Sequence, residues 1–220
     1  MSRIVIFANG QLNQLDAVKS RLHAEDRIYC ADGGTRHALA LGLTPHVVVG
    51  DLDSTAPDTA DELVAAGVTL HRYPAHKDQT DLELTFDWAL KEKPTEIMLV
   101  GALGGRLDQM LANILLLTRP AYSGVDLTLT DGPQWAKLIR AGQHVTITGQ
   151  PGDTLSLVPL SATVSPVNFT GVDWPLRDAN LQLGSTWSIS NRLTNTEATV
   201  TIGEGLLLLI HIAGPLSAVS

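Results

Sequence analysis

The chain has 220 residues, an apolar fraction of 44% and a formal net charge of −8. This length suffices for a substantial core in one large or two small domains, whereas the acidic balance disfavours a general nucleic-acid or anionic-membrane binder. The single cysteine, Cys30, excludes an internal disulfide and a multi-cysteine metal site. Because no signal-peptide layout and no bilayer-length apolar run is present, we expect a cytoplasmic protein with no membrane partner.

The first part of the chain alternates strands with helices. Short apolar runs predict strands at residues 4–7, 27–30, 47–49, 69–73, 97–100 and 125–130. Amphipathic segments predict helices at residues 12–22, 35–41, 57–66, 80–91 and 107–117. Because the strand runs are apolar on both faces, they indicate a parallel sheet that is covered by helices.

The pattern changes near residue 133. Runs at residues 144–147, 154–158, 187–190 and 199–202 are short, rich in Thr, Val and Ser, and separated by Gly, Pro and Asn. They predict a small antiparallel sandwich or barrel without helices. We expect Trp135 and Trp187 in its core, and we place the two domains at residues 1–133 and 134–220.

Four acidic motifs follow strand-like runs of the first domain. They are Ala31-Asp-Gly-Gly-Thr35, Gly50-Asp-Leu-Asp-Ser54, Lys77-Asp-Gln-Thr-Asp81 and Gly101-Ala-Leu-Gly-Gly-Arg-Leu-Asp-Gln109. Strand ends of an open α/β sheet converge on one crevice, where several carboxylates would repel each other without a cation. Mg²⁺ with a polyphosphate fits this place, since Mg²⁺ takes few carboxylates and fills its shell with phosphate oxygens and water. The motifs therefore predict a nucleotide-using enzyme.

Basic residues in the same motifs suit phosphate. Lys77 is a point charge beside two acids, and Arg106 offers a bidentate fork at a helix start whose free N–H groups favour anions. The motif around Arg106 is neither a Walker A loop nor a Rossmann fingerprint. Structural alternatives stay open: Asp53 could cap the next helix, and Asp81 could be a helix-start acid.

Taken in order, the four motifs resemble those of the thiamine pyrophosphokinase family, particularly its bacterial form. The second domain adds Gly171-Val-Asp-Trp-Pro-Leu176 and the pair Ser190-Asn191, so the resemblance covers essentially the whole chain. Eukaryotic members carry Gln where Lys77 stands. The resemblance implies an α/β pyrophosphokinase domain followed by a β-sandwich, and transfer of a pyrophosphoryl group from ATP to the hydroxyl of thiamine, giving thiamine diphosphate and AMP.

The resemblance also implies a homodimer, with thiamine between the α/β domain of one subunit and the sandwich loops of the other. Asp51, Asp53 and Asp81 would hold Mg²⁺ with Asp32 close by, and Lys77 and Arg106 would stabilise phosphate charge. The implied ATP-binding residues are Asp32, Gly33, Gly34, Asp78, Thr80, Gly104, Gly105, Arg106, Asp108 and Gln109. Trp174 would stack on the thiamine ring, whose polar edge Ser190 and Asn191 would bind.

Two other functions stay open at this stage. The run Asp51-Leu-Asp-Ser-Thr55 matches the Asp-x-Asp-x-Thr motif of haloacid-dehalogenase-type phosphatases, in which the first Asp is the nucleophile. In that family the motif usually follows the first strand, whereas here it follows the third predicted strand. The second alternative is a non-catalytic sensor of nucleotide or thiamine.

Overall fold

In a computed structural model that describes residues 2–52 and 57–214, the chain divides into two units, Met1–Gly132 and Pro133–Ser220. The first unit contains six parallel strands in the order β6-β5-β1-β2-β3-β4. The strands are β1 (Arg3–Phe7), β2 (Arg27–Ala31), β3 (Val47–Gly50), β4 (Thr69–Arg72), β5 (Glu96–Val100) and β6 (Asp126–Thr130). The α-helices are α1 (Leu15–Lys19), α2 (Thr35–Ala40), α3 (Pro57–Ala65), α4 (Asp81–Lys91) and α5 (Leu107–Leu116).

The order of the strands fixes where a ligand can bind. The chain proceeds from β1 to β4 on one side of β1 and then returns to place β5 on its other side. Neighbouring strands whose connections leave in opposite directions open a crevice at their carboxyl ends. This crevice lies beyond β1 and β5. The side chains of Ile4, Val5, Ile6 and Phe7 are all fully buried, which confirms that apolar residues occupy both faces of this central strand.

The helix predicted at residues 12–22 is shorter in the structure, where α1 covers only Leu15–Lys19. Gln14 precedes it without a side-chain hydrogen bond to the first turn, so that the helix start is weakly defined. Residues 8–11, which lie between β1 and the predicted helix, form a wall of the cavity described below.

The second unit is an antiparallel sandwich. One sheet has the order β12-β9-β14-β7 and the other β11-β10-β13-β8. The strands are β7 (Gln134–Arg140), β8 (His144–Thr148), β9 (Thr154–Pro159), β10 (Thr163–Thr170), β11 (Leu176–Gln182), β12 (Asn191–Arg192), β13 (Glu197–Glu204) and β14 (Leu206–Ile212). Buried side chains of both sheets share one core, for example Leu157 and Leu209 from the first and Phe169 and Val200 from the second.

Two sequence-based expectations for this unit differ in outcome. Residues 187–190 form a turn rather than a strand, since the Ile189 N–H donates to the Thr186 carbonyl at 3.4 Å. The Ser188 hydroxyl holds this turn against β9 by donating to the Leu157 carbonyl at 2.8 Å. Trp187 is 59% exposed, so its assignment to the core was wrong. Trp135 does pack against the core and stacks on His211. No helix among residues 2–52 and 57–214 is long and apolar enough to cross a membrane.

A buried carboxylate joins the end of β14 to the start of β9. Asp153 Oδ2 accepts the N–H of Gln150 at 2.9 Å and lies 2.8 Å from His211 Nε2, while Oδ1 accepts the N–H of Gly214 at 2.8 Å. Burial raises the pKa of Asp153, but the hydrogen bonds from Gln150, Gly214 and His211 outweigh it and hold the pKa below its ordinary value.

We expect Asp153→Asn to lower the free energy of unfolding at neutral pH by about 1–3 kcal/mol, because one carboxylate oxygen becomes an NH2 group and the buried donors that face it lose their acceptor. Because the pKa of Asp153 is lower in the folded protein, Asp153 stabilises the fold fully at pH values above its pKa in the unfolded chain, which is about 4. This contribution disappears as the pH falls through the folded pKa. Denaturant titrations from pH 7 to pH 3 should therefore show the two proteins converging in acid. A constant difference would contradict the linkage.

Candidate active site at the carboxyl edge of the parallel sheet

A cavity of about 490 Å³ lies at the carboxyl ends of the parallel strands. Segments that follow β1, β2, β3, β4 and β5 all contribute to its wall, as the order of the strands requires. Its polar lining side chains are Asn9, Gln11, Asp32, Arg36, Asp51, Lys77, Gln79, Thr80, Asp81, Arg106, Gln109 and Asn113.

The structure brings most of the sequence-predicted site residues of the first unit to this cavity. Those that line it are Asp32, Asp51, Lys77, Thr80, Asp81, Gly104, Gly105, Arg106 and Gln109. Those that do not are Gly33, Gly34, Asp78 and Asp108. Asp53 lies outside the described residues.

Glycines at two strand ends permit close approach of the backbone. A Cβ atom on Gly34 would lie 2.0 Å from the carbonyl oxygen of Phe7, and one on Gly50 would lie 2.8 Å from the Asp32 Cβ. Neither distance is compatible with a side chain, so that glycine at these positions lets the segments after β1, β2 and β3 meet. Gly34 therefore acts through packing beneath the cavity.

Two of the acidic motifs contain left-handed backbone at residues other than glycine. The φ angle is 41° at Asp32 and 61° at Leu52, which directly follows Asp51. Such conformations cost about 1–3 kcal/mol each and persist where the surrounding structure enforces them, often at functional sites. Here the acidic residues Asp32 and Asp51 both line the cavity.

Two of the three cations that line the cavity, Lys77 and Arg106, are held by acids from their own motifs. Lys77 Nζ lies 2.8 Å from Asp81 Oδ1, and the same ammonium donates to the Pro74 carbonyl at 3.2 Å. At the rim, Arg106 NH2 lies 2.6 Å from Asp108 Oδ2. The hydrogen bond between them raises the pKa of Arg106 and lowers that of Asp108. Each of the two cations is thus paired with an acid of its own motif.

The carboxylates of Asp32, Asp51 and Asp81 suit a hard cation. All three line the same cavity, yet within the described ranges no three His, Cys, Asp or Glu side chains form a ready-made metal cluster. Mg²⁺ is commonly bound by one or two carboxylates together with substrate phosphates and water. The donor set thus fits Mg²⁺ that arrives with a polyphosphate better than a metal held by protein ligands alone.

The sequence analysis missed the wall that follows β1. Asn9 and Gln11 line the cavity together with Arg36. Arg36 NH2 donates to the Asn9 carbonyl at 3.2 Å, and His37 Nε2 lies 2.8 Å from the Gly10 carbonyl, so that α2 fixes this loop. The signal was a polar, glycine-containing segment directly after a fully apolar strand. It carries no acid and therefore escaped a search that was guided by carboxylates.

The second unit presents its candidate residues on one pair of loops. The Trp174 side chain is 63% exposed. Asn191 Oδ1 accepts the N–H of Trp174 at 3.1 Å, and Asn191 Nδ2 donates to the Trp174 carbonyl at 2.8 Å. Ser190 is exposed with a φ of 58°, and its N–H donates to the Ser156 hydroxyl at 2.9 Å. The amide of Asn191 is thus engaged in positioning the backbone of Trp174.

Comparison with known proteins assigns the family. Residues 18–129 match the family described as thiamin pyrophosphokinase, catalytic domain. Residues 143–207 match the one described as thiamin pyrophosphokinase, vitamin B1 binding domain. The chain belongs to the thiamine pyrophosphokinase family.

Individual relatives are similar over nearly the whole length. A thiamine pyrophosphokinase of Bacillus subtilis is 31% identical over 211 residues, which cover 96% of this chain and 99% of that one. A crystal structure of thiamine pyrophosphokinase from Bacillus subtilis superposes with a TM-score of 0.86 at 28% identity, covering 97% of this chain and 100% of that one. Another, from Geobacillus thermodenitrificans, gives 0.79 at 27% identity, covering 96% and 98%. These similarities confirm the expected fold class and leave the dehalogenase-type alternative unsupported.

Proposed function

We propose that the cavity of the first unit binds ATP with Mg²⁺ and that the Trp174 loop of the second unit binds thiamine. The family's activity is the transfer of a pyrophosphoryl group from ATP to the hydroxyl of thiamine, giving thiamine diphosphate and AMP. The observation that supports the ATP assignment is the convergence of acids and cations on one cavity beyond β1 and β5.

ATP would bind by exchange of ionic partners. Lys77 is paired with Asp81 and Arg106 with Asp108. A triphosphate offers oxygens that both cations can bind, and the metal that accompanies it offers a positive charge to the acids that are released. Because each ion gains a new partner as it loses the old one, no charge is left without a counter-charge, which limits the desolvation cost of binding.

Mg²⁺ would be held by Asp51 and Asp81, with Asp32 close by; Asp53 belongs to the proposed set but lies outside the described residues. When bound, Mg²⁺ neutralises charge on phosphate oxygens and orients them. Thr80, Gln109 and the glycines Gly104 and Gly105 would position the nucleotide.

The protein's part in the reaction is alignment and charge stabilisation. The thiamine hydroxyl attacks the β-phosphorus, the bond from that phosphorus to the bridging oxygen of AMP breaks, and AMP leaves. Phosphoryl-type transfers need little covalent chemistry from the protein. Lys77 and Arg106 would bind the phosphate oxygens on which charge accumulates, and these interactions strengthen as the reaction proceeds.

The second unit would contribute recognition of the thiamine ring. Trp174 is exposed and its backbone is fixed on both sides by Asn191. An indole face held in this way is suited to a flat cation, since the quadrupole of the ring attracts positive charge. Ser190, whose side chain is exposed, would bind the polar edge of the ligand. Asn191 would act mainly through Trp174.

We further propose a homodimer whose thiamine sites lie between subunits. Leu107, Leu111 and Leu115 are 72%, 53% and 46% exposed and recur every fourth residue on α5, which makes one apolar stripe. Light scattering after gel filtration should give twice the chain mass of 23.5 kDa. A monomer mass would contradict the dimer.

The proposed compartment is the cytoplasm. A reducing compartment suits a chain whose lone cysteine is free and buried.

Product analysis tests the reaction. The protein is incubated with ATP, Mg²⁺ and thiamine, and nucleotides and thiamine esters are separated. We expect AMP and thiamine diphosphate in equal amounts. Inorganic phosphate with a phosphoenzyme on Asp51 would instead indicate a phosphatase, and binding without turnover would indicate a sensor.

Replacing the cavity acids should abolish most of the turnover. We expect Asp51→Asn and Asp81→Asn each to lower kcat by at least about a hundredfold, because each removes a charge that holds the metal and its phosphates. Asp61→Asn, at an exposed acid on α3, is the matched control and should leave kcat unchanged. Unchanged turnover of Asp51→Asn or Asp81→Asn at saturating Mg²⁺ would assign that acid to helix capping instead.

Replacing Trp174 should weaken thiamine binding alone. We expect Trp174→Ala to cost about 0.5–2 kcal/mol of thiamine binding, which is a few-fold to about thirtyfold in Kd, with the KM for ATP unchanged. Because the side chain is 63% exposed, the melting temperature should stay the same. Asn191→Ala should reproduce the loss by releasing the Trp174 backbone. Unchanged thiamine affinity in a stable Trp174→Ala protein would remove Trp174 from the site.

A further inference from the structure

A polar network on the outer face of α4 joins the Lys77 segment to the chain that follows α5. Gln79 Nε2 donates to Glu83 Oε1 at 3.1 Å and to Asp87 Oδ2 at 3.0 Å. Arg119 NH1 forms an ion pair with Glu83 Oε1 and lies 4.0 Å from Asp87 Oδ1. One amide and one guanidinium thus share the same two carboxylates.

The network holds its carboxylates together by charge. Glu83 and Asp87 are four residues apart on a helix, so that they are neighbours and repel each other. Arg119 supplies the positive charge beside both. Without it the two acids would separate, and the amide of Gln79 would lose one or both of its acceptors.

Arg119, although partly exposed, also contacts a buried side chain. Its NH1 donates to the Tyr122 hydroxyl at 3.3 Å. The Tyr122 ring is fully buried and stacks on the Phe86 ring of α4 with centroids 5.0 Å apart. Arg119 is therefore tied to α4 through both a surface ion pair and the packing beneath it.

Gln79 connects this network to the cavity. It lies two residues from Lys77 and two from Asp81, and all three line the cavity. The Gln79 side chain is bound back onto α4, and Thr80 caps the same helix by accepting the N–H of Glu83 at 3.2 Å. The segment between Lys77 and Asp81 is thus fixed at its centre by bonds to Glu83.

We propose that Arg119, Glu83 and Gln79 form a positioning network that fixes the Lys77–Asp81 ion pair in the cavity, and that Arg119 affects turnover through Lys77 without touching substrate. The proposal rests on the phosphate-binding role proposed for Lys77. Removing Arg119 frees the segment, so that Lys77 spends less time where the phosphate binds.

A double-mutant cycle with Lys77 tests the coupling. We expect Arg119→Ala to lower kcat/KM for ATP about tenfold, within the range for residues of one network, while the KM for thiamine stays the same. In the Lys77→Ala background, Arg119→Ala should cause less than about a twofold further change. Arg119→Lys, which keeps the charge, should recover at least about half of the activity. If Arg119→Ala proves unstable, Glu83→Gln serves in the same cycle, because it keeps an acceptor for Gln79 but loses the charge that binds Arg119.

Arg27, which lies in β2 and forms an ion pair at the other end of α4, provides the matched control. The Arg27 side chain is 43% exposed, which is close to the 40% of the Arg119 side chain. The Arg27 Nε lies 2.7 Å from Oε2 of Glu92, the residue that caps the carboxyl end of α4. Arg27→Ala should leave kcat/KM unchanged even if it lowers the melting temperature as much as Arg119→Ala.

Three results would overturn the proposal. The first is an equal loss of kcat/KM from Arg119→Ala with and without Lys77, and the second is an equal loss of kcat/KM in the Arg119→Ala and Arg27→Ala proteins. The third is a change in kcat/KM for thiamine as large as that for ATP. If Lys77→Ala alone leaves turnover unchanged, the phosphate role of Lys77 fails, and a remaining effect of Arg119→Ala would show that Arg119 acts by another route. Formation of AMP by the unsubstituted protein separates that result from failure of the proposed reaction.

Discussion

The close approach of parallel strand ends is the constraint on which the rest of the site depends. Beyond β1, β2 and β3 the backbone segments meet at distances that leave no room for a Cβ atom on Gly34 or Gly50. Only glycine satisfies this packing. The contact brings Asp32 beside the end of β3, and the return of the chain to β5 brings Arg106 to the same cavity. Acids and cations that are far apart in sequence therefore share one crevice.

Ion pairs within the motifs then determine how the site can accept its substrates. Lys77 and Arg106 are each neutralised by an acid of their own motif. A free cluster of like charges would destabilise the fold, whereas these charges are paired. In the proposed binding mode, a metal and a polyphosphate enter by exchange with the paired groups. In the proposed network of Arg119, Glu83 and Gln79, charge balance would hold the segment that carries Lys77 in the same way.

The sequence predicted those features that depend on periodicity and on strand ends. The buried run of β1 and the carboxylates after β2 and β3 follow from apolar patterning and from the convergence of parallel strands. The wall around Asn9 was missed because it contains no charge, although its position after β1 would have identified it once the order of the strands was known. The start of α1 was misplaced because no side chain caps its first turn, so the apolar periodicity alone did not define where the helix begins.

The second unit shows what local patterns cannot decide. Trp187 lies in a run that looks like a strand, yet the segment closes as a turn from Thr186 to Ile189 and leaves the indole exposed, while Ser188 is hydrogen-bonded to Leu157 of β9. The role of Asn191 in holding the Trp174 backbone likewise depends on two loops that are seventeen residues apart in sequence. Such long-range side-chain bonds have no signature in a single sequence.

In the proposed binding mode, the cavity recognises a polyphosphate and its metal together. Isothermal titration with α,β-methylene-ATP, in which the bond to be broken is replaced by an inert one, measures this directly. The Kd should rise by at least about tenfold when Mg²⁺ is replaced by a chelator, because the acids freed from Lys77 and Arg106 then face phosphate without a cation between them. Equal affinity with and without Mg²⁺ would contradict it.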